Sequence, residues 1–268
     1  MTIKNKPLKI ACFVVGASIL FVFILMAAFP QIFTKYGPKE MFDAWEAPSM
    51  THILGTNDMG YDVFTEIAYG AATTLYVGLL AGFLSIAIGT FFGVLASKNN
   101  VFGHLANGFI NVFLLLPKLV VLIVLCAFLP STNAMRIVLI AAFSWVGTAR
   151  EVRAKTMSLH TALYVQNCTV LGYSKLHTAL RHIVPNLYDV LLAHLLVSIN
   201  SSIMMQSTLG FLGMGDLYRP DWGTIIGFAY KRGAFLRQAY NWLIVPGIAI
   251  SLVVLAFYLL SLALKKHD

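Results

Sequence analysis

Between Ile10 and Phe29 lies an unbroken run of twenty residues without a single charge. A helix of about 20 apolar residues is long enough to cross the hydrocarbon core of a bilayer. Comparable runs recur at about 71–96, 104–129, 134–149, 184–209 and 241–264. In lipid, backbone N–H and C=O groups must find partners within the segment, so such runs become helices. The chain of 268 residues is 59% hydrophobic and only 11% charged, whereas soluble domains carry about 25% charged residues. It has too few polar groups to cover an aqueous surface. The sequence therefore predicts an all-α integral membrane protein, a single transmembrane domain over residues 1–268 with about six spanning helices.

The segments between the runs suggest an orientation. Lys4, Lys6 and Lys9 precede the first run, which is longer than the apolar core of a signal peptide, about 7–15 residues. It reads as a true span that starts in the cytoplasm. Residues 30–70 hold Glu40, Asp43, Glu46, Asp58, Asp62 and Glu66 against Lys35 and Lys39, a net charge of −4 that fits the outer side. Residues 150–183 form the most basic stretch, with Arg150, Arg153, Lys155, Lys175 and Arg181 against Glu151. Cytoplasmic loops are enriched in Lys and Arg. The proposed cytoplasmic pieces hold eleven of the nineteen Lys and Arg, and the outer pieces seven. Both termini are then expected in the cytoplasm. The overall charge of +8 follows from this bias. The basic residues are scattered beside apolar runs, which argues for a membrane and against a nucleic-acid surface.

Two local patterns add structure. Gly78, Gly82, Ser85, Gly89 and Gly93 recur at helical spacing, and small residues on one face let helix backbones approach closely in lipid. In the basic stretch, Ser158 is placed to cap a helix reaching about Leu171. Gly172 sits where a helix stop favours a left-handed residue. Ser174 then caps a second helix with Leu176, Leu180 and Ile183 on one face, and Pro185 suits the start of the next segment. The pattern is a two-helix elbow between the fourth and fifth spans. A basic loop resting on anionic lipid heads is the plainer alternative.

Enzyme signatures are missing. The sequence has no phosphate-cradling G-x-x-x-x-G-K-[ST], no H-E-x-x-H and no G-x-S-x-G. Ser144 and His194 have no spacing that demands a nucleophile–base pair. Cys12, Cys126 and Cys168 show no C-x-x-C and read as packing residues. Four polar residues within spans are candidate pathway groups: Lys118, His194, Asn200 and Gln206. Lys118 either faces a pathway and favours an anionic cargo or a carboxylate, or it snorkels or pairs with a carboxylate of a partner chain. His194 is either a metal contact or an interhelical hydrogen bond; metal ligation stays open. Met204 and Met205 read as packing.

Four blocks carry a resemblance. Leu54-Gly55-Thr56-Asn57-Asp58-Met59-Gly60-Tyr61-Asp62-Val63 is similar to the Leu-Gly-Thr-Asp-x-x-Gly-Arg-Asp-Val segment of dipeptide, oligopeptide and nickel permeases. Ser144-Trp145 and Ala149-Arg150-Glu151-Val152-Arg153-Ala154 resemble their Trp-x-x-x-Ala-Arg-x-Val-Arg-Ala. Tyr164 to Gly172, followed by Arg181 to Asn186, resembles the cytoplasmic loop of ABC importer permeases. Ser207 to Gly215, with Asp221-Trp222-Gly223, resembles their Leu-Ser-Phe-Leu-Gly-Leu-Gly and Ser-Trp-Gly. Gln166-Asn167-Cys168 stands where the loop usually reads Glu-Ala-Ala, and Tyr61 where Arg is usual.

The resemblance implies a permease subunit of the shorter, second-permease type, located in the bacterial cytoplasmic (inner) membrane. It implies a second homologous permease chain, two ATPase subunits and an extracytoplasmic solute-binding protein as partners, beside membrane lipid. Tyr164, Gln166, Asn167, Cys168, Leu171, Gly172 and Ser174 would form the ATPase-coupling elbow. Gly210, Gly213, Gly215 and Trp222 would form a packed outer segment near the pathway. This chain would bind no cofactor and perform no covalent chemistry; ATP and Mg would sit in the ATPase partners. The cargo is expected to be nickel or a metal–chelator complex, towards which the chain's shortness leans, or short peptides. A stand-alone channel or receptor is the alternative.

Overall fold

The computed structural model describes residues 6–178, 181–182 and 185–264. The side chain of Gln166, the expected face residues Leu176, Leu180 and Ile183 and the basic tail 265–268 lie outside what is described. The described residues are helical apart from connecting segments and isolated β-bridges. In chain order the helices are α1 (Lys6–Ala28), α2 (Pro30–Phe33), α3 (Val63–Ala96), α4 (Val101–Leu115), α5 (Lys118–Phe128) and α6 (Asn133–His160). Then come α7 (Leu163–Val170), α8 (Lys175–Thr178), a 3-10 turn at Pro185–Leu187, α9 (Tyr188–Leu209), a wide π-helical turn at Gly210–Met214, α10 (Trp222–Lys231) and α11 (Tyr240–Leu264).

Four of these are long and apolar enough to cross a membrane: α1, α3, α9 with its flanking turns, and α11. The bent pair α4–α5 makes a fifth if the two halves form one span. The sequence reading of six differs at two places. The expected span 104–129 is broken, its halves meeting at 83°. Pro117 is the cause: it lacks a backbone donor and its ring excludes the helical conformation from the residue before it. Leu116 accordingly has φ −74° and ψ 128°. The expected span 134–149 is the first half of a single 28-residue helix, α6, that runs on through Arg150, Glu151, Arg153 and Lys155. Those charges keep it below the composition of an apolar span. α6 also overruns Ser158, which was expected to start the elbow; Ser158 instead lies in its last turn, where its carbonyl accepts from the Thr161 N–H.

α3 is the central element. It begins at Val63, not near residue 71, because Asp62 caps it: the Asp62 carboxylate accepts from Thr65 N at 2.8 Å. With 34 residues it is about 51 Å long, longer than the hydrocarbon core. Its glycine seam packs against two partners. Gly78 and Gly82 meet Ile203 and Ile199 of α9, and Gly89 and Gly93 meet Thr148, Trp145 and Val152 of α6. A Cβ on Gly82 would lie 2.8 Å from the Ile199 Cα, and one on Gly89 2.7 Å from the Trp145 carbonyl. The small residues therefore set how closely three backbones pack. α1 and α11 close the other side, with Phe23, Trp222 and Trp242 in the same buried cluster as Ile67, Ala71 and Ile203. The outward faces of α1 and α11 carry Phe13, Phe21, Ile24, Ile248 and Leu255, as expected of surface that meets hydrocarbon.

Candidate functional site

Residues 34–62 fold into a small knot against the start of α3, and the first recognisable sequence block is its frame. Gly55 and Gly60 have φ of +82° and +77°, conformations that glycine adopts without Cβ strain. Space also demands glycine at residue 60, where a Cβ would lie 2.0 Å from the Phe42 carbonyl. Thr56 Oγ1 donates to the Asp43 carbonyl and accepts from Glu46 N. Asn57 Oδ1 accepts from the N–H groups of Met59 and Tyr61. His52 is buried against the rings of Tyr36 and Phe42, which also touch each other, and its Nδ1 lies 3.0 Å from Asp62 Oδ2. Asp62 and Glu66, counted in the sequence as outer charge, are thus structural: Trp242 Nε1 donates to Glu66 Oε2 at 3.1 Å.

Beside the knot opens a cleft of about 1100 Å³. Tyr61, Tyr69, Tyr76, Tyr218, Phe228 and Trp242 line it, with Lys39, Glu66, Asp216, Arg219 and Arg232 among them. Aromatic walls with both signs of charge suit a polar solute with an apolar portion. At the rim Arg232 lies 3.0 Å from the Asp58 carboxylate and 4.9 Å from the Phe228 ring.

The expected glycine segment closes one wall of the cleft. Gly210 continues the helix rather than ending it, and Gly213 turns the chain with φ +95°. α10 then folds back across the end of α9. A Cβ on Gly223 would lie 2.1 Å from the Ser207 carbonyl, and one on Gly215 1.9 Å from Thr224 Oγ1. Trp222 is fully buried, its ring N–H bonded to the Ile67 carbonyl and its backbone N–H to Thr74 Oγ1. Asp221 caps α10 through Thr224 N.

Asp221 also holds a fully buried pair with an arginine. Arg136 Nη1 lies 2.5 Å from Asp221 Oδ2, with the two side chains 1% and 0% exposed. Arg136 Nη2 also donates to Asn133 Oδ1, and Thr224 Oγ1 donates to Asp221. The sequence reading counted Arg136 among the seven outer basic residues, at the edge of the run 134–149, and gave it no partner, because its partner is 85 positions away. The available signal was an arginine within an apolar run, which demands a counter-charge.

At its far end α6 gives way, after two residues, to α7. Cys168 and Val165 face inward, the Cys168 thiol donating to the Tyr164 carbonyl at 3.3 Å. Tyr164, Asn167 and Leu171 share the opposite, exposed face. Tyr173 N donates to the Cys168 carbonyl and Gly172 has φ +78°, the glycine-terminated helix stop anticipated from sequence. Ser174 Oγ accepts from His177 N and so caps α8. Leu163 and Leu171 are 78% and 74% exposed, leaving an apolar patch on this short arm.

The four in-span polar residues do not converge. Lys118 opens α5 at the Pro117 break and is exposed. His194 and Asn200 are half-buried on α9, and the Asn200 carbonyl oxygen has no protein partner among the described residues. Gln206 is fully buried, its amide 3.5 Å from the Thr73 carbonyl of α3.

Known proteins share this sequence along most of its length. The family described as "Binding-protein-dependent transport system inner membrane component" matches residues 85–267. The dipeptide transport system permease protein DppC of Haemophilus influenzae is 32% identical over 265 residues, covering 93% of this chain and 88% of that protein. The glutathione transport system permease protein GsiD of Escherichia coli is 30% identical over 255 residues, covering 93% and 83%. The oligopeptide transport system permease protein OppC of Lactococcus lactis is 28% identical over 268 residues, covering 98% and 90%. A non-enzymatic transport role follows from this kinship, and the chain belongs to the binding-protein-dependent transport system inner membrane component family, the permease subunits of ABC importers.

Proposed function

We propose that this chain forms, with a second homologous permease, the translocation pathway of an ATP-driven importer for short peptides delivered by a solute-binding protein. The observation that carries the reading is the continuity of α6. One helix of 28 residues, about 42 Å long, runs from the buried Arg136–Asp221 pair beside the cleft to the exposed α7 arm. A motor pushing on α7 would act, across the two-residue turn at Thr161–Ala162, on one unbroken helix that ends at the cleft wall. The cleft then faces the outer medium and α7 the cytoplasm, where two ATPase subunits dock on Tyr164, Asn167, Leu171, Gly172 and Ser174. ATP and Mg belong to those subunits.

In this reading α6 is the sixth span. Its packing along α3 through Gly89 and Gly93 supports that placement, and its buried Arg136 is paired with Asp221. Gly210, Gly213, Gly215 and Trp222 hold α10 as a packed outer segment. Lys118 and the α9 residues His194 and Asn200 remain candidate pathway groups once a second permease is in place. Peptide cargo is favoured because the relatives are named for dipeptide, oligopeptide and glutathione transport, and because the cleft pairs aromatic walls with both charges. The test is reconstitution with the sister permease, ATPase and binding protein. ATP-dependent uptake of a labelled dipeptide, not competed by Ni²⁺ or chelated Ni²⁺, is expected. Uptake of nickel alone would overturn the cargo, and uptake without ATP the class.

A further inference from the structure

A second cleft, of about 620 Å³, lies between α4 and α6, away from the first. Asn107, Asn111 and Leu114 line it from α4, and Gly147, Arg150 and Glu151 from α6. None of these was singled out as a pathway group by sequence. The arrangement follows from the two helices' periodicity. Ala106, Ile110 and Phe113 of α4 pack on Trp145, Val146 and Ala149 of α6. Asn107, Asn111 and Leu114 stand one position further round the α4 helix, and Gly147, Arg150 and Ala154 do the same on α6. The buried seam is thus apolar, and the face beside it carries Asn107, Asn111 and Arg150.

Depth decides what such a face can meet. Asn107 is six residues and Asn111 ten residues into α4, about 9 and 15 Å along the axis. With α4 entering at Val101 along the membrane normal, Asn111 would sit near the middle of a bilayer about 30 Å thick. An amide there is unfavourable against lipid tails and is retained where it meets protein or water. The same holds for the end of α4. Its last carbonyls lose their helical partners at the Pro117 break, and Leu115 beside it is 85% exposed. Irregular backbone at membrane depth is tolerated only against protein or a water-filled cavity. The floor is open as well: a Cβ built on Gly147 would meet nothing within 4 Å.

We infer that the Asn107–Asn111 face of α4 and the Gly147–Arg150–Glu151 face of α6 line the aqueous route on the α7 half of the membrane. They offer two amides, a guanidinium and a carboxylate to a polar solute leaving towards the cytoplasm. This rests on the importer reading, which supplies the second permease that closes the route from the other side. Discontinuous helices recur at the transport sites of carriers for the same physical reason, since a break exposes polar backbone to the solute.

The experiment is cysteine accessibility in the assembled transporter, in a chain whose Cys12, Cys126 and Cys168 are replaced by Ser or Ala. Asn111→Cys, Gly147→Cys and, as a lipid-facing control, Val112→Cys are exposed to a charged, membrane-impermeant thiol reagent from the ATPase side. Thiolate forms only where water reaches the sulfur. Labelling of Asn111→Cys and Gly147→Cys at least tenfold faster than Val112→Cys is expected, with slowing by bound cargo. Equal, slow labelling of all three would overturn the inference. The failures are distinguishable: if the chain does not co-purify with an ATPase, the importer reading falls first; if it does and the cysteines stay unreactive, only this route is wrong.

Discussion

Replacing Asp221 with asparagine should be among the most damaging single changes this protein can suffer while its shape is kept. Asparagine caps a helix as aspartate does, so the bond to Thr224 N survives. What disappears is the one carboxylate that, among the described residues, pairs with the Arg136 guanidinium, a side chain 1% exposed whose Nε has no partner among them. An uncompensated buried charge left by removing one partner costs about 3–5 kcal/mol. For a chain of this size that corresponds to a melting shift on the order of 10 °C. Arg136→Met should cost less, since Asp221 keeps the Thr224 N–H and hydroxyl. The double variant Arg136→Met/Asp221→Asn removes both charges and keeps the helix cap. It should regain most of the loss, giving a coupling energy of about 2–3 kcal/mol in a double-mutant cycle. The assay is thermal unfolding of the detergent-solubilised permease pair, followed by intrinsic tryptophan fluorescence. Trp222 reports directly, because it neighbours Asp221 and is buried. Additive losses in the double variant, or Asp221→Asn within 1 °C of the parent, would refute the claim that this pair holds α10 against α6.

Other changes probe the remaining joints. Gly172→Val places a β-branched residue at φ +78°, where nothing lies within 4 Å of the new Cβ. Strain of about 1–3 kcal/mol should distort α7 alone, so ATP hydrolysis should lose its stimulation by cargo while membrane insertion, read by protease protection, is unchanged. Gly82→Leu forces a side chain into the Ile199 backbone; overpacking of at least about 1–3 kcal/mol should abolish recovery of folded chain, whereas Gly147→Ala should leave that recovery unchanged. Asp62→Ala removes both the α3 cap and the His52 partner. A cap is worth about 1 kcal/mol, and the knot at 34–62 should become cleavable by protease added from the outer side.

What the sequence made legible was the physics of lipid. Apolar length found α1, α3 and α11, and helical spacing found the glycine seam of α3. The helix stop at Gly172 and the cap at Ser174 were readable because they depend on neighbours a few residues away. Several misreadings come from polar side chains satisfied at long range. Asp62 and Glu66 read as loop charge because their partners, His52 and Trp242, come from a folded knot and a distant helix. α6 read as a short span because Arg150 to Lys155 resembled a loop, although the helix ladder continues through them. Arg136 gave no hint of Asp221. The Pro117 break was visible as a dipeptide, yet the 83° bend depends on how two halves pack afterwards.

The central claim is that the α7 arm carries motion from an ATPase into α6. A photo-crosslinking residue at Tyr164 or Leu171, both exposed on one face of the arm, tests it directly in the assembled complex. Capture of the ATPase subunit from these positions, and none from the same probe at Tyr218 in the outer cleft, is the predicted result. Capture of the solute-binding protein at Leu171, or of no subunit in an intact and active complex, would contradict the account.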